Sequence, residues 1–239
     1  MPRLRTASVL PACLGIALAL LVACAATAPL PQATAARWRL ADAALHDPEL
    51  ERFLDQRLAA IAADGPPAVS VVLRPPGLRA QWREPGVVLI WADLLLRVID
   101  DAELAFVLAH EIGHSRLGHA AVPAATATAA DRLMIEWEAD RWARTRLVAM
   151  GYRADAGATL LAALSAELAG DPARVDVRAT IEARLAALRA LPPRGDEAGT
   201  GAAPGGWPAL QRSRRDAWAA LDPSLRDPAR AAQVRERWP

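Results

Sequence analysis

The chain has 239 residues, two of them cysteines, and a formal net charge of +1. That length supports one domain of ordinary size with terminal extensions, and so even a charge balance argues against a nucleic-acid partner. Both cysteines, Cys13 and Cys24, lie at the extreme N-terminus, so no disulfide is expected inside a folded domain.

Residues 1–23 read as a targeting segment. Arg3 and Arg5 supply its positive start, and the apolar run 14–23 is too short to span a bilayer. The run ends Leu21-Val22-Ala23-Cys24, which resembles the lipobox of bacterial lipoproteins. It predicts cleavage before Cys24 and acylation of that residue's sulfur and new amino group. More than one buried acyl chain gives stable anchoring, so a membrane partner through lipid is expected. Ala25 in the next position points to the periplasm-facing surface of the outer membrane. An ordinary secretory signal or an uncleaved anchor is the other reading. Residues 24–47, rich in Ala, Pro and Thr, predict a flexible tether.

The folded domain is expected over 48–191, with α+β architecture, mostly α. Leu50, Phe53, Leu54, Leu58 and Ile61 recur at helical spacing, which predicts an amphipathic helix over 49–63. Gly65-Pro66-Pro67 stops it. The β-branched run 69–73 predicts a strand, 74–77 a turn, and the apolar run 86–91 a second, buried strand. A short helix over 92–98 then leads into the most informative stretch of the chain.

That stretch is His110-Glu111-Ile112-Gly113-His114, inside a helical pattern that starts near Asp101. Asp100 with Glu103 predicts a capping box at its start. Residues four apart share a helix face, so His110 and His114 can direct two imidazoles at one metal ion. Zinc accepts neutral imidazole nitrogen and, in catalytic sites, three protein ligands with one position left open. Glu111, next to the first histidine, is placed to take a proton from metal-activated water. The third ligand is sought on the next helical segment, where Glu136 and Asp140 are again four apart. Glu136 is the expected ligand and Glu138 its rival. Asp140 is expected to accept the spare ring N–H of a ligand histidine and fix its tautomer.

Residues 120–130 read as an Ala/Thr-rich connector or a mobile lid. Helix is expected from Glu136 through Met150, with Gly151 as its C-cap. Two more helices are expected over 156–168 and 175–191. The Pro/Gly-rich segment 192–239 reads as a partly disordered tail with a weak helix candidate over 207–220. Trp207 and Trp218 could dock that segment on the domain or contact a partner.

The combined pattern resembles the HtpX/CAAX-prenyl-protease-like zinc peptidases of the gluzincin group over 48–191. The resemblance rests on 101–114, on His119 five residues past the second histidine, on Glu136-x-x-Ala139-Asp140, and on Ala149-Met150-Gly151-Tyr152. It implies a zincin-like peptidase fold in which a small sheet precedes the active helix. It also implies one Zn²⁺ per chain, polypeptide substrates and a role in envelope protein quality control. His119, five residues past His114, falls off the ligand face and reads as a structural helix-end residue. The resemblance implies peptide binding beside a sheet edge, although the family's Asn-Ala pair is absent and 78–85 stands in its place. The family's late Ser-Thr-His-Pro segment is absent too, and no histidine follows His119. If Arg184 is the family's arginine, Arg178 occupies the missing histidine's place and could stabilise a developing oxyanion. A zinc-binding envelope protein with a chaperone-like role and little peptidase activity is the alternative function. Oligomeric state is not encoded in any of these features.

Overall fold

The computed structural model describes residues 47–62, 70–74, 80–83, 87–119, 127–192 and 206–219. The targeting segment, Cys24, the tether up to residue 46, the connector over 120–126 and the tail beyond 219 lie outside the described residues.

Helix α1 (Pro48–Ile61) begins with Asp47, whose side chain accepts from the Leu50 N–H at 3.0 Å, and with Pro48 in the first turn. Asp47 therefore belongs to the helix cap and not to a tether. Leu50, Leu54, Leu58 and Ile61 form its fully buried stripe, each worth about 1.5–3 kcal/mol of transfer free energy.

Three strands follow: β1 (Ser70–Arg74), β2 (Ala80–Arg83) and β3 (Val87–Trp91). Their order in the sheet is β1-β3-β2. β1 runs parallel to β3, pairing Ser70 with Val87, and β2 runs antiparallel to it, pairing Trp82 with Val88. Val87 to Ile90 are buried without alternation, as a central strand requires. The edge strand β2 was not anticipated. It is four residues long and turns only Ala80 and Trp82 toward the core, too short a run to carry a strong periodic signal.

A single turn, α2 (Ala92–Leu95), leads to α3 (Asp101–Arg116). The Asp100 carboxylate accepts from the Glu103 N–H at 2.8 Å. Glu103 reaches back to the N–H of Ile99 at 3.0 Å, one residue before the position that a reciprocal capping box uses. From Ala102 to Gly113 every residue of α3 is buried. A helix apolar on all sides must run through the middle of a domain, and this one carries His110 and Glu111 there with it.

Helix α4 (Ala129–Ala149) starts seven residues earlier than expected. The reason is a capping box. Thr128 Oγ1 accepts from the Asp131 N–H at 3.1 Å, while the Asp131 carboxylate accepts from the Thr128 N–H at 2.8 Å. The helix ends at Gly151, whose φ of +77° is the left-handed conformation that glycine adopts without strain. Helices α5 (Ala156–Leu168) and α6 (Val175–Arg189) pack as a pair, joined by a short 3₁₀ turn over Pro172–Arg174.

Helix α7 (Trp207–Ala219) docks back on the domain and extends it beyond residue 191. Trp207 is fully buried, and its indole N–H donates to the Val98 carbonyl at 2.9 Å. The Gln211 amide donates to the carbonyls of Leu95 and Val98, both at 2.6 Å. Arg214 pairs with Asp47 and Glu49 at the start of α1. Of the two tryptophans singled out in this segment, Trp207 is therefore a core residue, and the Trp218 side chain lies outside the described residues. The fold is α+β and mostly α. Among the described residues, no helix is long and apolar enough to cross a membrane.

Candidate metal centre

Helices α3 and α4 cross where Gly113 meets Ala139. A Cβ on Gly113 would stand 3.3 Å from the Ala139 carbonyl oxygen and 3.4 Å from the Trp142 ring, so the missing side chain sets how closely the helices approach. Around that crossing, the approach brings candidate metal donors together. His110 Nε2 lies 3.0 Å from His114 Nε2. The Glu136 carboxylate reaches both, with Oε2 3.2 Å from His110 Nε2 and Oε1 3.6 Å from His114 Nε2.

Tetrahedral bonds of about 2.0–2.1 Å separate neighbouring donor atoms by about 3.3 Å. The three separations bracket that value, and all three donor atoms lie within 4.8 Å of one another. Two imidazoles and a carboxylate are also a donor set that zinc accepts. Glu138, the rival third ligand, points elsewhere: its Oε2 lies 3.1 Å from His119 Nε2.

Around these three residues stands a charged shell. Asp140, with no exposed surface, receives His110 Nδ1 at 2.8 Å. It also takes a forked pair of bonds from Arg184, Nε at 2.8 Å and Nη2 at 2.7 Å. The third nitrogen of that guanidinium, Nη1, lies 3.0 Å from Glu136 Oε2. Arg184 thus joins Glu136 to the support of His110. Its place on the buried stripe with Ile181, Leu185 and Leu188 is a signal the sequence did carry. Arg178, the expected oxyanion stabiliser, does not reach the centre. It sits one and a half turns earlier on α6, pairs with Glu182 at 2.8 Å, and is 39% exposed. Arg184 is the cation that this fold brings to the site.

Glu111, next to His110 on α3, is also buried. Its Oε2 accepts the backbone N–H of Trp82 on β2 at 2.6 Å. This contact ties the sheet edge to the carboxylate, and the featureless sequence of β2 gave no warning of it. His119 carries more than a helix end: its Nδ1 lies 2.9 Å from His114 Nδ1.

The electrostatics follow from burial and these partners. Burial raises Glu111, and with the nearby Glu136 outweighs the pull of His110, to leave it at about 7. Burial, together with the neighbouring His110, lowers His114 to about 4, so its ring is neutral at neutral pH. Burial and Arg184 act to lower His110, but Asp140 and Glu136 outweigh them and push it up to about 9. Glu136 is held well below the ordinary carboxylate range despite its burial, by His110 and Arg184. Asp140 is likewise lowered against its burial, by Arg184 and then His110.

A cavity of about 600 Å³ opens over the three donors. Its floor holds His110, Glu111, His114, Glu136 and Arg184. Its walls are Trp82 from β2, Phe106, Leu160, Leu161, Leu164, Val177 and Ile181. Apart from the centre and its shell, the walls are mainly apolar, with Gln81 and Thr180 as polar exceptions.

A mostly helical α+β domain with this H-E-x-x-H helix, a small sheet beside it and a remote glutamate defines a zincin-like metallopeptidase. The chain belongs to peptidase family M48, whose model matches residues 44–168. No curated protein is detectably similar to it in sequence. Membership makes it a metal-dependent hydrolase of polypeptides. Arg184, which completes the shell, lies beyond the matched residues.

Proposed function

We propose that the protein is a zinc-dependent endopeptidase anchored by lipid at the periplasmic face of the outer membrane, with a role in clearing damaged or misassembled envelope proteins. The observation that carries the catalytic reading is the convergence of His110 Nε2, His114 Nε2 and the Glu136 carboxylate at tetrahedral spacing, with Glu111 beside them at the floor of one cavity. Zinc at that point would supply Lewis acidity, polarising a peptide carbonyl and making a water molecule acidic near neutral pH.

The chain's own residues do the rest. Glu111, balanced near 7 by its burial, can take a proton from the attacking water and give it to the departing amine. The Trp82 N–H fixes one of its oxygens and leaves Oε1 for that exchange. Asp140 orients His110, and Arg184 holds Asp140 and Glu136 in register. Strand β2 forms the sheet edge at the cavity, where an extended peptide can pair by its backbone with little demand on sequence. The apolar walls favour segments with bulky apolar side chains, which folded proteins hide and unfolded ones expose. The lipobox-like Leu21-Val22-Ala23-Cys24 supports the anchor and the location.

Glu111→Gln compared with wild type on casein tests the reaction. The variant should retain zinc and lose at least about a hundredfold in turnover, the scale of a general base. Equal cleavage by both proteins would end the reading. Radiolabelled palmitate incorporation that disappears in Cys24→Ala tests the anchor.

A further inference from the structure

Each histidine of the centre has a carboxylate behind it, but only one is in direct contact. His110 Nδ1 meets Asp140 at 2.8 Å. Behind His114 the chain of contacts is longer. Its Nδ1 meets His119 Nδ1 at 2.9 Å, and His119 Nε2 meets Glu138 Oε2 at 3.1 Å. The His119 side chain is 7% exposed, and Glu138 lies at the surface on α4. The link therefore runs from the end of α3 to the first half of α4, on the side of the centre opposite Asp140.

The proton positions along this link are determined by its outer end. An ionised carboxylate can only accept. Glu138 therefore requires the proton of a neutral His119 to sit on Nε2. His119 Nδ1 is then a bare acceptor, and it can only be satisfied by a proton on His114 Nδ1. A neutral imidazole carries one N–H, so the Nε2 of His114, which faces His110 and Glu136, is left with its lone pair free. That is the tautomer a metal ligand must have.

We propose that His119 and Glu138 are positioning residues for the metal centre: a histidine-relayed carboxylate that holds His114 in its ligating tautomer and orientation. The inference rests on the reading of His110, His114 and Glu136 as the metal ligands, and goes beyond it. Neither residue touches the metal position or the substrate. Removing the relay leaves His114 free to populate the wrong tautomer and to turn about its side-chain bonds, and outer partners of this kind typically contribute ten- to a hundredfold in metal affinity.

The test is Zn²⁺ affinity of the full-length protein by chelator competition, with Glu136→Ala as the control. Wild type should bind one zinc and Glu136→Ala should lose it; if wild type binds none, the ligand assignment itself fails. Given a zinc-binding wild type, His119→Ala should weaken affinity about ten- to a hundredfold. His119→Asn places an amide oxygen where Nδ1 stood and keeps an acceptor for His114. It should therefore stay within about threefold of wild type, a rescue that a space-filling role would not produce. Glu138→Ala, at a surface position that cannot disturb the core, should weaken zinc by a smaller factor than His119→Ala. Nitrogen NMR of His114 in the metal-free protein should show the Nδ1–H form dominant in wild type and mixed tautomers in His119→Ala. Unchanged affinity in His119→Ala, or equal loss in the Ala and Asn variants, overturns the inference while leaving the three ligands untouched.

Discussion

Replacing Arg184 by Met removes the guanidinium of the shell while keeping most of its volume. Asp140, which has no exposed surface, then loses the forked bonds at 2.8 and 2.7 Å and keeps a single donor, His110 Nδ1 at 2.8 Å. Glu136 loses the contact at 3.0 Å. Removing one partner of a buried ion pair costs about 3–5 kcal/mol, because the other charge stays buried without compensation. The surviving histidine donor places this case at the low end, about 3 kcal/mol. For a chain of this size that is a fall in unfolding midpoint of about 6–12 °C. The assay is thermal unfolding of the metal-free protein followed by circular dichroism. Arg184→Lys serves as the comparison, since an ammonium cannot fork across two carboxylate oxygens and should recover only part of the loss. A midpoint for Arg184→Met within about 2 °C of wild type, less than 1 kcal/mol, would refute the claim that Arg184 holds the shell together.

Three further outcomes are expected. Trp207→Ala should destabilise by about 3–5 kcal/mol in urea titrations, because it empties a fully buried site and removes one of the two donors to the Val98 carbonyl; a tail that merely rests on the surface would cost almost nothing. In Gly157→Ala the new Cβ would stand 2.2 Å from the Phe106 ring. The ring can only yield toward the cavity it lines, so KM for peptide should rise with zinc content unchanged, and an unaltered KM would show that Phe106 does not contact substrate. Stability of the metal-free protein should fall as pH rises from 7 to 9. His110, raised from 6.5 to about 9 in the fold, contributes stability that is complete below 6.5 and lost as pH rises through about 9. The opposite contribution of His114, lowered from 6.5 to about 4, is already complete above 6.5 and does not interfere. A midpoint that climbs over that range would show that His110 is neutral in the metal-free fold.

Periodicity and punctuation made most of the helices legible. The helix over 156–168 emerged with the bounds its leucines and the following Gly170 imply. Shorter-range signals were weaker guides. The start of α4 was hidden because Thr128 and Asp131 adjoin an Ala/Thr-rich stretch, and the consecutive Leu133, Met134 and Ile135 mark no single face. Strand β2 was hidden because four residues with two inward side chains, Ala80 and Trp82, are too short a run to make a pattern. Arg178 was expected at the centre from its distance to Arg184 along the chain. Its position in the first turn of α6 instead places it beside Glu182, outside the cavity.

What the chain order alone determined is whatever depends on residues within about one helical turn. The i, i+4 spacing put His110 with His114 and Glu136 with Asp140, glycine ended α4 at residue 151, and Asp100 began α3. Only the tertiary structure decided which of these faces meet. The approach of α3 and α4 at Gly113 and Ala139 chose Glu136 over Glu138. The docking of α6 brought Arg184 between Glu136 and Asp140, and the turn after α3 brought His119 between His114 and Glu138. Backbone spacing fixes contacts along one element, whereas contacts between elements depend on how closely their surfaces can pack, and that is a property of side chains far apart in the chain.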